Sequence, residues 1–247
     1  MSGDFDRRRT SFGARAADYD RVRPGYPDVA LRSVIGRPLA HGGARVLDLG
    51  AGTGRLAAAC AALGANVIAA EPDAGMATLA ARAVPRRVVR ATAEHLPVAG
   101  ASLDAIVVGQ AWHWFDPHDA VVECARILRR GGRLGVFRNV RDESEPWVAA
   151  LGDIIGGPDR TREAAGDIIT IGEPFTAVEH EDFPHRRTMA AGDLVTLAMT
   201  HSYVAVHPQA AELQRCVEQL VAEHPDLAGR TQIEMPYVCR LTRATRG

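Results

Sequence analysis

The strongest chemical signal in the sequence is a short apolar run that ends in a glycine-rich loop, Val46–Gly54, with the letters VLDLGAGTG. Gly50, Gly52 and Gly54 alternate with small residues. Because glycine has no Cβ and tolerates positive φ, backbone N–H groups in such a loop can come close to a ligand. Asp48 stands two residues before the first glycine. The pattern predicts a strand that leads through a ligand-binding loop into a helix.

The glycine spacing separates two classes of ligand. Dinucleotides favour G-x-G-x-x-G, whereas S-adenosylmethionine favours an acidic residue followed by x-G-x-G-x-G. The third glycine comes one place early for the dinucleotide pattern, and Arg55 stands where that pattern needs glycine. Asp48 would repel a pyrophosphate, but it can accept a hydrogen bond from an ammonium group or hold the loop. Spacing and charge together favour S-adenosylmethionine.

Glu71 is the second candidate for the same ligand site. It ends the next apolar run, about twenty residues after the loop, where an acidic side chain can accept both hydrogen bonds from a ribose diol. An enzyme that uses NAD would also place an acid there. Glu71 therefore supports a nucleoside ligand without deciding between the two classes.

A third chemical signal is the segment Gln110-Ala111-Trp112-His113-Trp114, because aromatic residues make up only 5% of the chain. Indole and imidazole N–H groups can bind an oxyanion while their rings exclude water. A carboxylate acceptor is already ionised and needs placement more than a base. For a phenol or an amine, His113 can instead act as general base. Alternatively, both tryptophans pack in the core and His113 bonds a backbone group.

A metal site is a further alternative for the same region. Its ligands would be His113, Asp116, His118 and Asp119. A metal needs its ligands on one side of the chain, and no feature of the sequence imposes that arrangement. We therefore predict no metal.

The elements that must position these residues follow from an alternation of short apolar runs with helical patterns, which is typical of a parallel sheet with crossover helices. Strands are predicted at residues 45–49, 66–71, 87–91, 103–108 and 133–137, and helices at 55–63, from 73 onward and at 117–128. We expect Arg129 and Arg130 in the last turn of the third helix and Gly131-Gly132 to end it. Ligands bind beyond the carboxyl ends of parallel strands, so Trp112, His113 and Trp114 are expected beside the reacting group.

The rhythm changes after Arg138. Helices are predicted at residues 145–155, 193–202 and 208–223, and strands at 178–183 and 233–241. The last strand contains Pro236, which is tolerated at an edge or a bulge. We therefore expect that strand at the edge of the sheet.

Composition narrows the class of protein. The chain has 247 residues, 47% of them hydrophobic, with a net charge of −1. The balanced charge argues against a nucleic-acid-binding protein that works by bulk electrostatics. The first ten residues lack the apolar segment of a secretory signal, and residues 56–70 are too short and too interrupted to span a membrane. These features predict a cytoplasmic protein, and four scattered cysteines without a CxxC pair are expected to be buried.

The sequence resembles the class I S-adenosylmethionine-dependent methyltransferases, in particular the methyltransferase type 11 group. The resemblance extends from Val46 to Phe137 and follows five segments in order: VLDLGAGTG, AAEPDAGM, ATAEHLP, LDAIVVGQAWHWFD and ARILRRGGRLGVF. It implies cofactor contacts at both ends of S-adenosylmethionine. The residues so implicated are Asp48, Gly50, Ala51 and Gly52 at the methionine end, Glu71 at the ribose, Pro72, Met76, Ala93 and Glu94 around the adenine, and Gln110 under the ribose and methionine.

The flanks are similar to a narrower subgroup, the small-molecule methyltransferases that resemble trans-aconitate methyltransferase. The similarity rests on Phe12-Gly13, Ala17, Tyr19 and Arg23-Pro24-x-Tyr26-Pro27 before the core, on His113-Trp114-Phe115, and on Pro236-Tyr237-Val238 with Arg240. It implies that Tyr19 and Arg23 cap the cofactor, with Arg23 facing its carboxylate. It also places His201 and Tyr203 over the acceptor.

The resemblance implies an α/β fold: a Rossmann-like doubly wound sheet, mostly parallel with an antiparallel C-terminal edge strand, with an N-terminal helical cap and a C-terminal helical insertion. We expect a cap at residues 1–43, a cofactor-binding core at 44–140, and a segment at 141–247 that completes the sheet and covers the acceptor site. The catalytic residues are expected to be His113, Trp114 and Trp112.

The function so implied is methyl transfer from S-adenosylmethionine to O or N of a small organic acceptor, with a carboxylate as one candidate. A catalytically silent protein, a protein that binds a modified cofactor, and an NAD(P)-dependent oxidoreductase are the alternatives, because fold does not fix function. The partner expected is a small-molecule acceptor, without nucleic acid or membrane. The protein is expected to be a monomer or a homodimer.

Overall fold

The computed structural model describes residues 21–36, 43–156, 169, 171–201, 204 and 207–247. Tyr19 and Tyr203 lie outside these residues, as does the segment that includes Phe12, Gly13 and Ala17. The chain divides into two compact units. The core unit contains the described residues of 25–139, 169–183 and 239–247, and the helical unit contains those of 21–24, 140–168 and 184–238.

A seven-stranded sheet with the order β3-β2-β1-β4-β5-β7-β6 is the main element of the described chain. Its strands are β1 (Arg45–Leu49), β2 (Asn66–Ala70), β3 (Val88–Val89), β4 (Leu103–Gly109), β5 (Leu128–Arg141), β6 (Phe175–Ala190) and β7 (Gln232–Arg246). The described helices are α1 (Asp28–Ile35), α2 (Arg55–Ala62), α3 (Ala74–Ala83), α4 (Pro117–Ile127), α5 (Pro146–Ile155), α6 (Asp193–Met199) and α7 (Ala210–Glu223). The predicted α/β fold with a mostly parallel sheet is confirmed.

The centre of the sheet is parallel. β1 pairs in parallel with β2 and with β4, and β4 pairs in parallel with β5. Successive residues of β1 point to opposite faces, so Leu47 and Leu49 join one buried cluster and Val46 joins the other. β4 is buried along most of its length, as its continuous apolar run predicts. Two apolar clusters therefore cover the two faces of the core unit.

The C-terminal part of the sheet is antiparallel. His180 contacts Thr242 and Glu179 contacts Arg243, so residue numbers rise along β6 as they fall along β7. The sheet order places β7 between β5 and β6, and β6 is the outermost strand. The predicted antiparallel C-terminal part is confirmed. The last strand, β7, is not the predicted edge strand, because β5 and β6 flank it on both sides. Pro236 takes part through its carbonyl, which accepts from the Asp142 N–H at 3.1 Å.

One predicted helix end is wrong. α4 ends at Ile127, and β5 starts at Leu128, so Arg129 and Arg130 lie in a strand and not in the last helical turn. The Arg129 guanidinium donates to the Asp104 carboxylate at 2.6 Å. Pairing with the preceding strand, which helical periodicity cannot reveal, decides this boundary.

The helical unit has its own apolar cluster, in which α5, α6 and α7 contribute side chains such as Trp147, Leu194 and Val217. No helix among the described residues is long and apolar enough to cross a membrane. Cys60, Cys124 and Cys239 are buried as predicted. Cys216 is exposed on α7, which corrects the expectation for that residue.

Candidate cofactor and acceptor site

The glycine loop is fixed to the end of the neighbouring strand. The N–H groups of Gly50 and Ala51 both donate to the Ala70 carbonyl, at 2.9 and 3.0 Å. The Gly54 N–H donates to the Ala51 carbonyl at 2.9 Å, which closes the turn into α2. The loop therefore lies at the carboxyl ends of β1 and β2, where open parallel sheets bind ligands.

Gly50 and Gly52 have different reasons to be glycine, although both have positive φ, +69° and +57°. A Cβ on Gly50 would lie 2.7 Å from the Ala111 Cβ and 3.1 Å from the Phe115 ring, so the segment after β4 packs directly on this residue. A Cβ on Gly52 would meet no described atom within 4 Å. No described side chain therefore covers the Gly52 backbone on that side. A Cβ on Gly54 would lie 2.9 Å from the Ala80 Cα of α3, so the third glycine serves helix packing.

Asp48 lies beneath the loop and is 1% exposed. Its Oδ2 accepts from the Ala57 N–H at 2.8 Å, which caps the first turn of α2, because the N-cap residue Gly54 has no side chain to do so. Among the described residues its Oδ1 has no hydrogen-bond partner. Burial raises the pKa of Asp48 to about 7; the bond from Ala57 opposes this shift, and the charge of Glu71 adds to it.

Glu71 connects the glycine loop to the next helix. It is 8% exposed, and its Oε2 accepts from the Gly52 N–H at 2.9 Å. Its Oε1 accepts from the Asp73 N–H at 2.9 Å, and Asp73 in turn caps α3 by accepting from the Met76 N–H. Glu71 therefore fixes the Gly52 N–H relative to the start of α3.

The residues predicted around the adenine lie on two segments of the core unit. Met76 and Ala93 are buried, and Pro72 is partly buried. Glu94 accepts from the Asp116 N–H at 3.0 Å, which connects its segment to the start of α4. The apolar side chains can border a flat ring, whereas the Glu94 carboxylate has a structural contact of its own.

Gln110 directly follows β4 and has an uncommon backbone conformation, with φ +57°. Its N–H donates to the Phe137 carbonyl at 3.0 Å, and its Nε2 donates to the Asn139 carbonyl at 2.8 Å. The side-chain amide is therefore held against β5. This left-handed residue turns the chain into the aromatic segment.

The aromatic segment forms a short 3-10 helix, Trp112–Trp114. Trp112 meets the Phe115 ring edge-on at 5.9 Å between centroids, and both tryptophans pack partly against the core. His113 is exposed, with its ring 4.6 Å from the Trp114 ring. Each tryptophan therefore buries part of its ring surface against the core, and the rest of each ring is accessible.

Comparisons with known proteins identify the family of the chain. A family described as a methyltransferase domain, of type 11, matches residues 47–136. An uncharacterized methyltransferase of Mycobacterium tuberculosis is 40% identical over 238 residues, which are 95% of this chain and 95% of the relative. The chain belongs to the class I S-adenosylmethionine-dependent methyltransferases of the type 11 group.

Two further comparisons cover different parts of this methyltransferase. The malonyl-[acyl-carrier protein] O-methyltransferase of Methylococcus capsulatus is 38% identical over 132 residues, which are 50% of this chain and 48% of that protein. The solved structure of a putative type II methyltransferase from Anaeromyxobacter dehalogenans is 23% identical, with a TM-score of 0.65 over 91% of this chain and 97% of that chain. This second similarity shows a shared fold.

The structure of the methyltransferase brings together Asp48, the glycine loop and Glu71, and it packs the segment after Gln110 against Gly50. Arg23 and His201 lie in the helical unit, where Arg23 Nη2 donates to the Thr200 carbonyl at 3.1 Å. Their predicted contacts with cofactor and acceptor stay predictions, as do the roles of the residues at the loop.

Two residues of the methyltransferase were given no site role from the sequence: Phe115, named only within the His113-Trp114-Phe115 similarity, and Asn139. The Phe115 ring lies against Gly50. The Asn139 carbonyl accepts from the Gln110 side-chain amide, and the Asn139 Nδ2 donates to the Gly25 carbonyl at 2.9 Å. The sequence does contain a signal for Phe115, because it directly follows the Trp112-His113-Trp114 segment. No local pattern points to Asn139, because its role depends on a strand pairing.

Among the described residues of the methyltransferase, no group of three or more His, Cys, Asp and Glu side chains could hold a metal ion. Of the four candidate ligands, Asp116 accepts from the N–H groups of His118 and Asp119, each at 3.0 Å, as the N-cap of α4. His118 Nδ1 lies 3.0 Å from the Asp119 carboxylate. Asp116 therefore serves as a helix cap, and Asp119 is a surface residue beside His118.

Proposed function

We propose that the protein transfers the methyl group of S-adenosylmethionine to O or N of a small organic acceptor, with a carboxylate as the leading candidate. The observation that carries the proposal is the contact between Glu71 and the Gly52 N–H, beside backbone that no described side chain covers. This contact places a carboxylate and a glycine loop at one end of the sheet, where a nucleoside with a polar tail is accommodated.

The chain's own residues fit the cofactor. Glu71 places a carboxylate beside the Gly52 N–H to accept from the ribose hydroxyls, and Met76 and Ala93 supply apolar surface for the adenine. Gly50, Ala51 and Gly52 line the methionine end, where Gly52 exposes backbone rather than a side chain. When bound, S-adenosylmethionine supplies an electrophilic methyl group on a positively charged sulfur.

Asp48 has two roles in the proposed site, one structural and one electrostatic. Its Oδ2 holds the first turn of α2, and its Oδ1 faces the interior without a partner among the described residues. A cationic ligand near a buried carboxylate favours the ionised form of that carboxylate. Asp48 therefore suits a cofactor that carries positive charge.

The aromatic segment is the proposed acceptor side of the site. Trp112 and Trp114 provide partly accessible rings that exclude water, and the exposed His113 provides ring nitrogens. For a carboxylate acceptor the nucleophile is already ionised, so these residues orient it in line with the methyl group. For a phenol or an amine, His113 accepts the proton. The malonyl group named for the M. capsulatus relative carries a carboxylate, which supports this choice of acceptor.

The experiment that tests the function is calorimetric titration with S-adenosylmethionine and S-adenosylhomocysteine, followed by a screen of carboxylic acids, phenols and amines for release of S-adenosylhomocysteine. We expect binding that Glu71→Gln weakens about tenfold or more, because it removes a charged acceptor. Glu123→Gln is the matched control, since Glu123 also accepts a backbone N–H, from Leu96 at 2.8 Å. If the protein bound NADH but neither S-adenosylmethionine nor S-adenosylhomocysteine, the proposal would be overturned.

The role of the aromatic segment has its own test. We expect His113→Ala to lower turnover more than it lowers cofactor affinity, and His118→Ala to change neither. Both histidines are exposed, so neither substitution removes core packing. Full turnover in His113→Ala would remove the orienting or basic role from this residue.

A further inference from the structure

The start of the aromatic segment is fixed to β5. The Gln110 N–H donates to the Phe137 carbonyl at 3.0 Å, and the Gln110 Nε2 donates to the Asn139 carbonyl at 2.8 Å. Both bonds lie before the first tryptophan. The position of the other end of the segment, where Phe115 and Asp116 follow, therefore depends on other contacts.

The end of the aromatic segment is held by Glu94. The Asp116 N–H donates to Glu94 Oε1 at 3.0 Å. Asp116 is the N-cap residue of α4 and has an extended backbone, with φ −69° and ψ 115°. Its own carboxylate accepts from the N–H groups of His118 and Asp119. Because Asp116 follows Trp114 by two residues, the bond to Glu94 fixes the point at which the aromatic segment leads into α4.

This bond replaces one that a residue of the helix itself usually makes. In a capping box, the side chain three residues after the N-cap accepts from the N–H of the N-cap residue. At α4 that residue is Asp119, whose carboxylate lies 3.0 Å from His118 Nδ1. The Asp116 N–H donates instead to a side chain 22 positions away in the chain. A local acceptor would complete the helix start, but only a distant one also joins α4 to another segment.

Glu94 lies on a tight turn beside a predicted adenine contact. Thr92 and His95 face each other across this turn, and the His95 N–H donates to the Thr92 carbonyl at 3.3 Å. Ala93 is 3% exposed, so its side chain is buried, whereas the Glu94 carboxylate meets the start of α4. Adjacent residues of one turn thus lie at the proposed adenine surface and at the end of the aromatic segment.

We propose that Glu94 is a positioning residue for methyl transfer: its carboxylate holds the end of the aromatic segment and thereby orients the rings that contact the acceptor. The inference rests on the proposed function for the acceptor, and on the bond to Asp116 for the position of the segment. Transfer between two bound groups depends on their alignment, so displaced rings lower the rate even when both ligands bind. The family resemblance implies instead that Glu94 contacts the adenine, and the experiments below separate the two roles.

The first test measures the position of the aromatic segment without cofactor or acceptor. The chain has three tryptophans, and Trp147 is 5% exposed, so acrylamide quenching of tryptophan fluorescence reports mainly Trp112 and Trp114. We expect Glu94→Ala to raise the quenching constant, and Glu94→Gln, which keeps an acceptor oxygen, to retain the wild-type value. Unchanged quenching in Glu94→Ala would overturn the positioning role, whatever the methyl-transfer screen finds.

Asp119→Glu, added to Glu94→Ala, separates the aromatic segment from the helix cap. The longer side chain supplies the local capping box, so the Asp116 N–H regains an acceptor while the bond to residue 94 stays absent. We expect the melting temperature to recover and the quenching constant to stay raised. The double variant also allows the measurement if Glu94→Ala alone is too unstable. Recovery of both quantities would show that helix capping is responsible and would overturn the proposal.

Glu123→Gln is the matched control for a general loosening between the same segments. Glu123 Oε1 accepts from the Leu96 N–H at 2.8 Å, which joins the chain just after the turn to α4 further along the helix. We expect wild-type quenching in this variant. A rise equal to that of Glu94→Ala would mean that Glu94 has no specific role.

The second test uses an acceptor found in the screen. We expect Glu94→Ala to lower kcat/KM for this acceptor about fivefold at saturating S-adenosylmethionine, while the Kd of S-adenosylmethionine stays unchanged and Glu94→Gln restores the rate. A weaker Kd for S-adenosylmethionine with an unchanged kcat/KM would assign Glu94 to the adenine and overturn the positioning role.

Discussion

A side chain at Gly52 would meet no described atom within 4 Å, whereas a side chain at Gly50 would meet Ala111. The sequence shows both only as glycines of one motif. Their different surroundings mean that a substitution at Gly52 tests ligand access, while one at Gly50 tests packing.

We expect Gly52→Ala to destabilise the fold by about 1–2 kcal/mol through its positive φ and to weaken cofactor binding strongly through lost access. Gly131→Ala is the control, because Gly131 has φ +72° and also meets no described atom within 4 Å. Urea unfolding and calorimetric titration measure the two effects. Equal cofactor affinity in both variants would show that Gly52 does not line the site.

Asp48 gives a prediction about pH. Its folded-state pKa of about 7 lies above the ordinary value of 3.8, so its contribution to stability is complete below about pH 4 and is lost as pH rises through 7. Asp48→Asn keeps an acceptor oxygen for Ala57 and removes the titration. We expect the free energy of unfolding to fall less between pH 5 and 8 in Asp48→Asn than in the wild type. Parallel pH curves for the two proteins would contradict the buried ionisation.

At the scale of elements, capping residues mark the starts of α3 and α4, and strand pairing decides where α4 ends. The sequence predicts the starts of α3 and α4 correctly, because Asp73 and Asp116 are local signals. It misplaces the end of α4 because Arg129 pairs with Asp104 on β4. It also shortens β6, whose largely exposed residues show no alternating pattern.

The cap of α3 is a testable element. Asp73→Ala removes the acceptor for the Met76 N–H, and we expect a loss of about 1 kcal/mol in the free energy of unfolding. Asp28→Ala is the comparison, because Asp28 lies in the first turn of α1 without a side-chain cap bond at that helix start. We expect a smaller loss there by chemical denaturation. Equal losses would mean that charge near a helix start, rather than the cap bond, is responsible.

At the scale of the whole molecule, each compact unit is assembled from separate parts of the chain. β5, β6 and β7 each contribute residues to both units. A division read along the sequence cannot represent such units, because spatial neighbours in the sheet are distant in the chain. The division into segments 1–43, 44–140 and 141–247 stays a prediction.

Binding at the core unit has a consequence for the stability of the protein. A cofactor that binds only the folded state at 100 times its Kd adds about 2.7 kcal/mol. We expect S-adenosylhomocysteine to raise the melting temperature of the wild type and of Gly131→Ala, but not that of Gly52→Ala. Differential scanning calorimetry checks this. An equal rise in Gly52→Ala would move the cofactor away from the loop.

The sequence by itself determined the class of fold, the β-loop-α unit at 45–62, and the family, because these depend on local glycine spacing and hydrophobic periodicity. Tertiary structure decided that Asp48 caps α2, that Glu71 holds Gly52, and that β7 lies inside the sheet. It also joined Asp142 to Pro236 in β7 by a backbone hydrogen bond. Contacts between distant segments depend on pairing and packing, and neither leaves a pattern along the chain.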